Sequence, residues 1–146
     1  MLETVYQVQS IKQVITEERK QFNKIGSPED VLAVTEDIKD EDREIFLVIV
    51  LNTSNNVVAV HRNTVGTLGA SLAHPREVFK TAILNNASSI ILAHNHPGNS
   101  TEPSQDDIEV TDRMRGAGTI LGIPLLDHMI VTPTNGYTSL KEQGYL

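Results

Sequence analysis

SSIILAHNHPGNSTEPSQDD, Ser88 to Asp107, decides the fold of this chain. Ser88 to Ala93 is a short apolar run rich in branched residues and closed downstream by Pro97 and Gly98, the pattern of a buried strand. Gly98 to Pro103 (GNSTEP) has loop chemistry. Ser104 then opens a helical pattern, SQDDIEVTDRMRGAG, with Ser104 as N-cap, Gly116 and Gly118 marking the expected end, and the S-x-x-D spacing of a capping box to Asp107. A strand, a tight loop and a capped helix in this order predict an α/β unit.

The same stretch carries chemistry. Residues two apart on a strand share a face, so His94 and His96 converge while Asn95 points the other way. Pro97 holds His96 toward extended backbone angles. Asp107 falls in the first helical turn, where the positive end of the helix dipole keeps its carboxylate ionised. Two imidazoles and a carboxylate suit a zinc ion, and three protein ligands leave a fourth position for water, the arrangement of a catalytic metal. An HxH pair alone is weak, and Ser104 before Asp107 alone is an ordinary cap; their coincidence across a strand end, a turn-rich loop and a helix start favours a metal site.

HNHPGNSTEPSQDD fits HxHx7Sx2D without a gap and resembles the JAMM (MPN+) zinc metalloprotease motif. With AHPREVFKTAILNNASSIILAHNHPGNSTEPSQDDIEVT and LGIPLLDHMIV, the chain from about Glu44 to Tyr145 resembles the bacterial RadC family. The resemblance implies a mixed sheet flanked by helices in the JAB/MPN, cytidine deaminase-like architecture. It also implies one zinc ion held by His94, His96 and Asp107, with Ser104 supporting the catalytic water and the oxyanion. The family's upstream glutamate opens a hydrophobic strand, which Glu44 matches by preceding IFLVIVL, and its implied role is general acid/base. Larger relatives carry an N-terminal helical module resembling helix-hairpin-helix units; none is read in residues 1–40, an N-terminal extension here, so a DNA-repair role transfers poorly.

Length and composition bound the rest. At 146 residues one domain spanning 1–146 is expected. The absence of cysteine removes disulfides, thiolate metal sites and cysteine nucleophiles, and with them the cysteine-bearing signature of zinc nucleobase deaminases. No charged N-terminus precedes an apolar signal core, and Ile45 to Leu51 is far short of the roughly 18 residues that span a membrane. A cytoplasmic protein without a membrane partner is the expectation. A net charge of -7 disfavours nucleic acid, and Lys12 to Lys24 and Arg113/Arg115 read as solvated faces.

Along the chain, Val5 to Val8 suits a strand, whereas Ile11, Val14 and Ile15 also suit a helix face. Ser27-Pro28-Glu29 is a helix start leading into Val31, Leu32, Val34 and Ile38. Glu44 to Leu51 and Val57 to His61 form a hairpin around NTSNN, with Thr64 to Ala70 a weaker strand or bulged segment. His74-Pro75-Arg76 starts a helix with Val78, Phe79, Ala82 and Ile83 on one face. A last hairpin runs from Leu125 to Thr132 and from Tyr137 to Leu140 around PTNG. His61 and His74 read as structural, and Met114 and Met129 as core. Asp127-His128, inside an apolar strand, reads either as a local structural pair or as a partner of the metal site. Gly98 to Pro103 is the stretch expected to move over the site.

The function expected is zinc-dependent hydrolysis of peptide or isopeptide bonds in a protein or peptide substrate. The alternative is a non-catalytic binding module, or a DNA-repair accessory, with a structural or vestigial metal. Amidohydrolase and metallo-β-lactamase readings fit badly, because a TIM barrel typically needs about 250 residues and Pro97-Gly98 replaces the Asp-His of the lactamase motif.

Overall fold

A fully apolar run, Ile45–Leu51 (β1), forms an interior strand of the sheet in the computed structural model, and every one of its residues is buried. That continuity requires cover on both faces of the sheet. The structure describes residues 3–19, 21–65 and 73–146. Around β1 lie α1 (Pro28–Thr35), β2 (Val57–Val65), α2 (Pro75–Leu84), β3 (Ser89–Asn95), α3 (Gln105–Leu121), β4 (Leu125–Val131) and β5 (Tyr137–Ser139). The five-stranded sheet has the order β2-β1-β3-β4-β5. β1 pairs antiparallel with both β2 and β3, β3 pairs parallel with β4 across the α3 crossover, and β5 closes antiparallel. This is the mixed α/β sheet flanked by helices that the sequence predicts.

Alternation along the central strands divides the core in two. Phe46, Val48, Val50, Ile90 and Leu92 pack against Val78, Phe79 and Ala82 of α2 and Val110 and Met114 of α3. Leu47, Ile49, Leu51, Ile91, Ala93 and Met129 pack on the opposite face against Ile25, Val31, Val34 and Ile38. Each fully buried Val, Leu, Ile, Phe or Met side chain among these contributes about 1.5–3 kcal/mol. Residues 25–38 therefore cover much of that face.

Several boundaries differ from expectation. α3 does not stop at Gly116 or Gly118 but runs to Leu121 and ends at Gly122, whose φ of 71° is left-handed. Gly118 is glycine for a tertiary reason: a Cβ there would lie 2.5 Å from the Ile123 carbonyl oxygen, where the chain turns back toward β4. β2 extends through Val65, past His61, and so takes in the first part of the expected Thr64 to Ala70 segment; residues 66–70 lie outside the described residues. Val5 to Ile15 forms neither strand nor helix, and Val5 is 90% exposed. The segment's apolar side chains stay in solvent, and Gln13 pairs with the Asn85 carboxamide at the end of α2. Among the described residues no helix is long and apolar enough to cross a membrane.

Candidate metal centre

β3 delivers His94 at its end, fully buried, on the face shared by Ile90 and Leu92. His96 follows the strand but keeps a ladder bond, its amide donating to the Val131 carbonyl at 2.9 Å. Asp107 sits in the first turn of α3, where the predicted capping box forms. Its Oδ2 accepts the Ser104 amide at 2.8 Å, and the Ser104 Oγ accepts the Asp107 amide at 3.0 Å. The three side chains meet: His94 Nε2 lies 2.9 Å from His96 Nε2 and 3.1 Å from Asp107 Oδ1, and His96 Nε2 lies 3.1 Å from Asp107 Oδ2. Among the described residues this is the group of histidine and acid side chains that could hold a metal ion. The His94 and Asp107 side chains are sealed, whereas His96 is 13% exposed, so the centre opens to solvent on the His96 side.

The partners behind each ring decide which nitrogens face inward. The Ser100 carbonyl, 2.8 Å from His96 Nδ1, can only accept, so Nδ1 carries the proton and the lone pair of the neutral ring lies on Nε2. His94 is fixed by a longer route. The Thr111 hydroxyl donates to the Asp107 carbonyl oxygen at 2.7 Å, and its oxygen therefore accepts from His128 Nδ1 at 2.6 Å. Burial pushes the His128 pKa well below its ordinary value, so this ring is neutral and its Nε2 accepts. His94 Nδ1, 2.8 Å away, donates to it, which again leaves Nε2 as the bare nitrogen facing Asp107.

Two imidazole lone pairs and a carboxylate facing one another at about 3 Å call for a cation among them. Burial alone would raise the Asp107 pKa, but the two imidazoles against it and the Ser104 amide outweigh burial and hold the carboxyl well below the carboxylate range. The His96 pKa is raised, chiefly by its hydrogen bond to Asp107 against the opposing effect of burial. A proton thus stands where a metal ion fits. Tetrahedral ligands at zinc distances are about 3.3 Å apart, close to the spacings here, and the donor set of two neutral imidazoles and one carboxylate suits zinc.

Glu44 precedes β1 and is half-buried. Since Phe46 pairs with His94 in the antiparallel register, Glu44 lies level with the loop side of His94, and its charge reaches His96 and raises its pKa. Ser104, exposed at the helix start, uses its oxygen as the cap and keeps its hydroxyl proton available.

The Asp127-His128 pair divides. Asp127 accepts from the His128 amide at 2.7 Å, the Ser139 hydroxyl at 2.6 Å and the Lys141 amide at 3.1 Å, tying β5 and the following turn to β4. Of the two, only His128 touches the candidate centre, through His94. His74 caps α2 by accepting the Arg76 amide at 3.2 Å, and His61 stands on β2, outside the centre. Sequence reasoning missed Thr111, although it follows Asp107 by one helical turn. The loop Gly98 to Pro103 is hydrogen-bonded to the β4–β5 turn and to β5. Asn99 Oδ1 accepts the Thr134 and Asn135 amides at 3.0 and 3.1 Å, and the Thr138 hydroxyl donates to the Thr101 carbonyl at 2.7 Å.

Comparison with known proteins gives one family. A family model described as RadC-like JAB domain matches residues 25–145. The chain is 50% identical over 123 residues to a UPF0758 protein of Desulforamulus reducens, an alignment covering 84% of this chain and 54% of that relative. It is 52% identical over 123 residues to a UPF0758 protein of Rubrobacter xylanophilus, covering 84% and 53% respectively. A UPF0758 protein of a Geobacillus species is 50% identical over 125 residues, covering 84% and 54%. The chain spans about half the length of the curated relatives it matches.

Proposed function

This chain belongs to the RadC-like JAB domain family, and from that premise we propose that it is a zinc-dependent hydrolase of peptide or isopeptide bonds. The observation that carries the reading is the pair of imidazole Nε2 atoms 2.9 Å apart, each with its Nδ1 proton committed to a partner behind it, beside the Asp107 carboxylate. A purely structural site would close around its ion with a fourth protein ligand, whereas among the described residues this one presents three and opens at His96. His94, His96 and Asp107 would hold the zinc ion. Zinc supplies a charge that polarises a carbonyl oxygen and lowers the pKa of a coordinated water from 15.7 to about 7.

The chain's own residues do the rest. Glu44 takes the proton of the attacking water on a carboxylate oxygen as the new C–O bond forms, then returns it to the amine nitrogen as the C–N bond breaks. The free hydroxyl proton of Ser104 donates to the oxyanion that develops between those events. His128 and Thr111 hold His94 in the tautomer its position requires.

The test is metal analysis with turnover of a peptide and isopeptide library by wild type, Asp107→Ala and Glu44→Gln. Wild type carries zinc and turns over; Asp107→Ala loses zinc; Glu44→Gln keeps zinc and loses about 10²- to 10⁴-fold in turnover. A zinc-loaded Glu44→Gln protein as active as wild type would remove Glu44 from the mechanism. Zinc binding with no turnover of any amide would leave a metal-binding recognition module.

A further inference from the structure

Asn95 lies between the two histidines in sequence yet faces the opposite side of β3, and it is completely buried. Its carboxamide reaches across to the segment entering β1. Oδ1 accepts the Ile45 amide at 2.6 Å, and Nδ2 donates to the Arg43 carbonyl at 2.8 Å and, more weakly, to the Glu41 carbonyl at 3.4 Å. The two short bonds fall on the peptide groups either side of Glu44. The β1–β3 register stops at Phe46 opposite His94. Beyond that point one side-chain amide does what a further ladder rung would do, with its acceptor and donor matched to a backbone N–H and C=O.

We infer that Asn95 is a positioning residue that clips the backbone of Glu44 to the strand carrying both histidine ligands, and so sets the distance between the general base and the metal centre. This rests on the reading of Glu44 as the base. The geometry explains why a buried amide stands between two ligands: the strand that holds the ion on one face holds the base by the other. A polar side chain with no exposed surface is retained only when its hydrogen bonds are made, and here both ends of the carboxamide are used. The ligands themselves do not lean on it, since His94, His96 and Asp107 are oriented by His128, Ser100 and Ser104.

The test uses Co(II) as the probe, because its visible spectrum reports ionisation at the metal's open position whether or not a substrate is in hand. Wild type, Glu44→Gln, Asn95→Ala and the double variant are loaded and titrated with pH, and amide exchange at Ile45 is measured in parallel. Expected are unchanged Co(II) stoichiometry in all four, a displaced pH midpoint in Glu44→Gln, and a displaced midpoint in Asn95→Ala that adds nothing in the double variant. Ile45 exchange should be accelerated at least about tenfold by Asn95→Ala. Where a substrate is available, kcat should fall about 10- to 100-fold in Asn95→Ala with KM held. Asn95→Asp, which keeps the acceptor for Ile45 and loses the donor to Arg43, replaces the alanine variant if that protein does not fold.

An Asn95→Ala protein with the wild-type midpoint, or one that loses Co(II) along with Glu44 alignment, overturns the inference. Unaltered Ile45 exchange does the same. A Glu44→Gln protein with the wild-type midpoint instead overturns the reading of Glu44 as the base, while the exchange data still judge the clip.

Discussion

Thr111→Val probes the hydrogen-bond relay behind His94 with almost no change in side-chain shape. In the wild type the hydroxyl donates to the Asp107 carbonyl and accepts from His128 Nδ1, with Thr111 and His128 both buried. Valine leaves the His128 N–H without an acceptor, at a cost of about 1–3 kcal/mol to the folded protein. The ring can relieve that cost by moving its proton to Nε2, which then faces the Nδ1–H of His94. His94 in turn shifts its own proton to Nε2, the atom that must be bare to bind a metal ion. Loss of such an orienting partner typically weakens metal binding about 10- to 100-fold, or about 1.4–2.7 kcal/mol. The assay is competition for zinc against a chromogenic chelator, with urea unfolding of the metal-free protein alongside. Thr111→Ser, which keeps the hydroxyl, should recover wild-type zinc affinity. If Thr111→Val loses stability but binds zinc as tightly as wild type, the relay does not select the His94 tautomer and its derivation fails.

Gly116 and Gly118 of α3 should respond with opposite signs. Gly118→Ala forces a Cβ to within 2.5 Å of a backbone oxygen, a strain of about 1–3 kcal/mol that exceeds the helix-propensity gain; Gly116→Ala meets nothing within 4 Å and should stabilise by about 0.5–1 kcal/mol. Urea unfolding of both variants checks this, and equal shifts would contradict the close approach at Ile123. Metal removal should reverse the pH trend of the centre. Without metal, the raised pKa of His96 makes its pairing with Asp107 stabilising below the ordinary histidine value of 6.5, and this is lost as pH rises through the raised value. The lowered pKa of Asp107 makes its share present above 3.8 and lost as pH falls. Zinc must displace the His96 proton, so the gain in Tm from zinc should grow from about pH 5.5 to about pH 8. A zinc gain that does not change over that range would mean that no proton is displaced.

The candidate metal centre was legible because His94, His96 and Asp107 lie in one β3-loop-α3 unit. Alternation placed His94 and His96 together, and the capping box placed Asp107, all from spacing within a short stretch. What stayed hidden depends on pairing between distant segments. His128 reaches His94 only because β4 lies parallel beside β3, and Asn95 finds its partners only because β1 runs on the other side. The end of α3 was misplaced for a similar reason, since two glycines read locally as a stop when one of them is required by the return of the chain at Ile123. The N-terminal pattern Val5 to Ile15 has apolar residues at suggestive intervals, but periodicity does not say whether a surface is left for them to cover.

Asp107 holds the start of α3 through the Ser104 amide while its carboxylate faces the imidazoles. Its orientation is therefore settled by chain folding, before any ion arrives. A finger-like domain collapses when its zinc is stripped; here the layered apolar interior stands independently of the ion, and a chelator should yield a folded, empty receptor ready to be reloaded. Which metal sits in it would then follow from supply in the surroundings as much as from the architecture, and exchange of one ion for another needs no unfolding.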